Sequence, residues 1–197
     1  MRLLVPIAAV ALLLASCSGA PDPEPTGTHD AAPEPTTTAT QGPTEHVFAM
    51  PADCTVLLPA DRQQAFADQG LVLLGGPGGQ YPHYYADPTP EEQVGGISCI
   101  WGDEAVPEST VTVSVAPLTP SSRSAVVDNL IAQGLNEAVL DDGISYAQLG
   151  DENSAPAVLN IIRDDSWISV IEALGGEAFF DEAVELAAEA AEQVYSG

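Results

Sequence analysis

The chain has 197 residues, with 29 Asp and Glu against 4 Lys and Arg and a formal net charge of −25. Lysine is absent, and beyond residue 2 the arginines are Arg62, Arg123 and Arg163. Nucleic acids and anionic headgroups are excluded as partners, because phosphate contacts need neutralising cations that this surface lacks.

Arg2 precedes an apolar run over residues 3–14, and Ala15, Ser16 and Cys17 follow it. A run of about a dozen residues falls short of the about 20 needed to cross a bilayer as a helix, and Pro6 interrupts it. Where a secretory signal has its small-residue cut, this one has a cysteine. Leu14-Ala15-Ser16-Cys17 resembles the lipobox of bacterial lipoproteins. That resemblance implies a signal peptide over residues 1–16 and a diacylglyceryl (palmitate-type) anchor on Cys17, on the extracytoplasmic face of the cell membrane. Two acyl chains suffice for stable residence, at about 0.8 kcal/mol per buried methylene.

Residues 17–46 are rich in Pro, Thr, Ala, Glu and Asp and nearly devoid of large apolar side chains. Such a segment cannot bury enough surface to offset the cost of ordering, so a disordered acidic linker is expected. Its root-mean-square reach as a flexible coil is about 30 Å. Residues 47–197 have the size of one ordinary domain.

Once Cys17 is acylated, Cys54 and Cys99 remain, and two cysteines allow one connectivity. A structural disulfide suits an oxidising compartment; two free thiols in a redox or metal site are the alternative. Paired zinc-ligand spacing is absent.

Residues 59–70 read as a short helix, with proline at the start and glycine past the end. A Gly- and Pro-rich insertion occupies residues 75–96, and a strand is expected over 97–101. Residues 110–115 alternate Thr/Ser with Val, the pattern of a strand with one solvated face. A helix is expected over 121–132, with Val126, Val127, Leu130 and Ile131 as its apolar stripe, ended by Gly134. Strands over 144–149, 155–163 and 166–173 follow, the last two joined by a tight turn at Asp164-Asp165. A helix over 177–195 closes the chain, apolar at Phe180, Ala183, Val184, Ala187, Ala191 and Val194, with glutamates opposite. This order favours an α+β domain with an antiparallel sheet of about four to five strands and helices packed on one face.

Cys54-Thr55-Val56-Leu57-Leu58-Pro59-Ala60, with Cys99-Ile100-Trp101 ahead of a β-rich segment, completes a further pattern behind the lipobox and Pro/Thr linker. The chain thereby resembles a family of small actinobacterial lipoproteins whose domain has no assigned function. The likeness covers about residues 54–195. It implies a Cys54–Cys99 bridge and an α+β sheet domain, and it brings no catalytic residues. Two departures stand out: Leu58 where such sequences often carry a Thr helix cap, and the long aromatic stretch over 75–96.

That stretch supplies the candidate contact residues Tyr81, His83, Tyr84 and Tyr85, in a loop of the kind that carries recognition. It lacks the Gly-Lys-Ser/Thr ending of a phosphate loop. A lone histidine without a nucleophile makes no triad, and no Gly-x-Ser-x-Gly elbow is present. Neither Asp141-Asp142-Gly143 nor Asp151-Glu152-Asn153 has the ligand pattern of an EF-hand. No cofactor and no metal site is expected. The sequence therefore favours a membrane-anchored, non-enzymatic module that binds an envelope protein, glycan or small molecule. The alternative is a small cell-wall hydrolase using carboxylates, which requires two carboxyls facing each other across a cleft.

Overall fold

The computed structural model describes residues 47–141 and 143–195, so the expected signal peptide, Cys17, the expected linker and Asp142 lie outside the described residues. A 3-10 turn (Cys54–Val56) leads into α1 (Ala60–Asp68) and β1 (Val72–Gly75). Then come α2 (Pro90–Gln93), β2 (Ile97–Asp103), β3 (Val106–Pro117) and α3 (Pro120–Ala132). The chain continues through β4 (Asn136–Leu140), β5 (Gly143–Gln148), β6 (Ala157–Ile162) and β7 (Ser166–Glu172) to α4 (Glu177–Val194). The α+β class holds, and all neighbouring strands pair antiparallel in one sheet ordered β1-β2-β3-β7-β6-β5-β4.

The sheet has seven strands, not four to five. The two unforeseen strands are its edges. All five residues of β4 are exposed, so it carries no buried alternation to read. β1 is only four residues long and runs directly into the glycines of the insertion.

Helices cover both faces, which corrects the expectation of one. On the first face Val111, Val113, Val115, Leu159, Ile168 and Val170 pack with the buried residues of α4. Ala183, Ala187 and Ala190 are fully buried there, and their small side chains let the helix lie close to the sheet. On the second face Ala116, Tyr146, Ile162 and Trp167 pack against Val126 and Leu130 of α3, while α2 rests on β2 and β3. The apolar stripe of α3 is narrower than its sequence suggests, since Ile131 is 54% exposed.

The hydroxyl face of β3 is likewise buried and not solvated. Thr112 is 8% and Ser114 2% exposed. The alternation in residues 110–115 thus records polarity and not contact with water. Buried hydroxyls must find partners, and here the Ser114 hydroxyl donates to Ser98 Oγ at 2.8 Å. Farther along the same face, Trp167 Nε1 donates to Asn160 Oδ1 at 2.9 Å.

Cys54 and Cys99 are joined as expected (Sγ–Sγ 2.04 Å), which overturns the free-thiol alternative. Both belong to the first-face core together with Phe66 and Trp101, whose rings lie 5.7 Å apart. The N-cap of α1 is Pro59, which has no side-chain acceptor to offer, and position 58 lies one residue before the cap. Gln63 Nε2 ties the helix to the preceding turn, donating to the carbonyls of Thr55 and Leu58 at 2.8 Å each. Arg62 ties α1 to α4 through Glu182, Glu185 and Glu189 at 3.5, 3.0 and 2.7 Å.

The β6–β7 connection is the expected tight turn, closed by Arg163 N donating to Ser166 O at 2.9 Å. Asp165 has a task beyond the turn, accepting from the Tyr195 hydroxyl at 2.6 Å. At the start of the described chain, Ala49 N donates to Val194 O at 2.8 Å. The rings of Phe48 and Tyr195 stand edge to face, 5.8 Å apart. Among the described residues no helix is long and apolar enough to cross a membrane.

Candidate functional site

The insertion between β1 and β2 folds back on the second face of the sheet and encloses a cavity of about 410 Å³. Its course is fixed by backbone pairing: Tyr81 N donates to Leu74 O at 2.7 Å and Gly76 N to Tyr81 O at 3.1 Å. Two glycines permit the close approach. A Cβ on Gly75 would lie 2.6 Å from Tyr84 Cβ. One on Gly76 (φ +98°) would lie 2.2 Å from Ser98 O and 2.7 Å from Cys54 Sγ. Cys54 N also donates to Pro77 O at 2.9 Å. The disulfide therefore underlies the loop as well as the core. Gly76→Ala combines a left-handed backbone with a backbone collision. It is expected to lower the thermal midpoint by several degrees, as read by circular dichroism.

The far wall is built by α2. Thr89 caps it reciprocally with Glu92: Glu92 N donates to Thr89 Oγ1 at 3.3 Å, and Thr89 N donates to Glu92 Oε2 at 2.8 Å. This is a capping box. It orients Thr89 so that its hydroxyl meets Ser98 Oγ at 2.6 Å, and Ser98 in turn accepts from Ser114. Glu91, next in the helix, is 5% exposed. Burial pushes its carboxyl above the ordinary range, while its own backbone, Ser169 and Thr89 oppose that rise through hydrogen bonds.

His83, Tyr84 and Tyr85 all line the cavity, with Pro82, Asp87, Thr89, Glu92, Ser98 and Ile100. Tyr81 stands at its edge, 6.5 Å from the Tyr84 ring, and donates through its hydroxyl to Glu104. Tyr84 and Tyr85 meet at 90° with centroids 5.3 Å apart. The structure thus brings together the aromatic residues singled out from the sequence. It adds Thr89, Glu92 and Ser98, which were not. The Thr89-x-x-Glu92 spacing was the available signal for two of them; Ser98 had none.

The site joins aromatic and apolar walls to a hydroxyl floor, with the carboxylates of Asp87 and Glu92 beside it and no arginine. Asp151 serves its own loop, accepting through Oδ1 from Asn153 N at 3.0 Å and Ser154 N at 2.9 Å. Among the described residues no group of three or more His, Cys, Asp or Glu side chains is gathered closely enough to hold a metal ion. No protein-family model, curated protein or solved structure matches the chain.

Proposed function

We propose that the chain is a lipid-anchored module of the bacterial cell envelope, of the actinobacterial lipoprotein kind it resembles. In this reading it holds a small hydroxyl-rich ligand of the sugar type behind the tyrosine loop, without converting it chemically. The observation that carries the ligand reading is the cavity of about 410 Å³, lined by Pro82, Tyr84 and Tyr85 together with Thr89 and Ser98. Its volume falls within the range of small-molecule sites. Aromatic faces cover the C–H face of a sugar ring while hydroxyls and carboxylates take its rim. Asp87 and Glu92 discriminate against anions. Cys17 supplies the anchor, residues 17–46 the leash, and the Cys54–Cys99 bridge suits an oxidising compartment.

Two measurements test the two halves. Cys17→Ala is expected to move the protein from the membrane to the soluble fraction, and undiminished membrane retention overturns the anchor. Neutral mono- and disaccharides of cell-wall type, titrated into the mature chain by NMR, are expected to shift Tyr84 and Tyr85 resonances. Tyr84→Ala is expected to weaken that binding about tenfold, or about 1.4 kcal/mol. Sugars that leave those resonances unmoved overturn the ligand reading.

A further inference from the structure

A second cavity, of about 340 Å³, lies on the first face of the sheet, walled by Leu71, Val111 and Phe179 and bordered by Glu108, Glu172 and Glu182. Glu172 ends β7 on the face that otherwise carries Ile168 and Val170, and pairs in register with Val111 and Ala157. It is 3% exposed, and its Oε1 is buried without a hydrogen-bond partner. A buried carboxyl in that state is costly and calls for an explanation.

The arginines among the described residues are committed elsewhere. Arg62 is the nearest, and its guanidinium is spent on Glu182, Glu185 and Glu189. Arg163 lies beyond the opposite end of β7, where Arg123 Nε also bonds to its carbonyl at 3.1 Å. Lysine is absent from the sequence. No ion pair reaches Glu172 among the described residues, so a full counter-ion for its ionised form would come from outside. The three carboxylates are not gathered closely enough for a metal ion, and the Leu71, Val111 and Phe179 walls favour a hydrocarbon body behind the charge.

We propose that this cavity binds a small aliphatic ammonium ion, with the Glu172 carboxylate as its principal counter-ion and Glu108 and Glu182 at its mouth. Empty, Glu172 is held neutral. Burial and the nearby Glu182 push its carboxyl up to about 8, with Arg62 opposing. An arriving ammonium favours the ionised form, so binding expels the carboxyl proton into solvent.

The test is isothermal calorimetry of the full chain in detergent with 1,5-diaminopentane, in two buffers of different ionisation heat. One saturable site is expected, releasing about 0.9 proton per ligand at pH 7 and about 0.1 at pH 9, with affinity about tenfold higher at pH 9. Glu172→Gln mimics the neutral acid that the fold already accommodates, and is expected to lose both the binding and the released proton. Glu108→Gln is expected to weaken binding and keep the proton release. Equal binding of 1,5-pentanediol, binding that survives Glu172→Gln, or no saturable heat from the diamine each overturns the proposal. Loss of diamine binding in Tyr84→Ala overturns it too, by placing the ligand in the other cavity.

Discussion

Urea unfolding at pH 5, 6.5 and 8.5 is expected to show the chain losing stability steadily as the pH rises. Glu172 sets the course. In the unfolded chain its carboxyl ionises near the ordinary 4.5, and in the folded chain near 8. Below 4.5 both states hold the proton and the group is neutral to folding. Between the two values the unfolded state has already released its proton, so folding must retain one against the solvent and stability falls. Above about 8 the loss is complete, on the order of 5 kcal/mol. Glu91, raised chiefly by burial, acts in the same direction. Asp53 and Asp151 are held low by hydrogen bonds, and their contribution is lost only as pH falls through and below the ordinary carboxylate range. Glu172→Gln is expected to flatten most of the decline and to stabilise the protein at pH 8.5. A stability maximum at or above pH 8 contradicts this assignment.

Reducing the Cys54–Cys99 bridge is expected to cost about 4 kcal/mol, the chain-entropy value for a closed loop of 45 residues. Cys99→Ala is expected to do the same, and chemical denaturation of the oxidised and reduced chains measures it. The damage extends beyond stability. Gly76 and Pro77 of the tyrosine loop lean on Cys54, so reduction is also expected to broaden the NMR signals of Tyr81, Tyr84 and Tyr85. Sharp, unshifted tyrosine signals in the reduced chain contradict a supporting role for the bridge.

The elements with strong periodicity were legible from sequence alone. Five of the strands and the helices around residues 59–70, 121–132 and 177–195 all appear, the first helix marked by its flanking proline and glycine and the other two by their apolar stripes. The edge strand β4 escaped because Asn136, Glu137, Ala138, Val139 and Leu140 are all exposed and bear no such repeat. The second helical layer escaped for a different reason. Ser98, Ser114 and Ser169 look like a wet face but satisfy one another or Thr89 and Glu91 beneath α2. Of the first cavity, the tyrosines and His83 stood out by composition, whereas Ser98 and Thr89 meet only through tertiary pairing. Glu172 carried no signal at all. It is one glutamate among many, and its character comes from the place where β7 ends.

The bond from Ala49 to Val194 and the ring contact between Phe48 and Tyr195 have a mechanical side. Any tension applied through the residues before Val47 is met first at the last turn of α4 and at the β6–β7 turn, where Phe48 N donates to Asp165 Oδ2 at 3.4 Å. The clasp is two hydrogen bonds and one aromatic contact, so it opens at low force, as a fuse does. A tug at the amino-terminal side is thus absorbed by peeling a few residues free, while both cavities keep their shape.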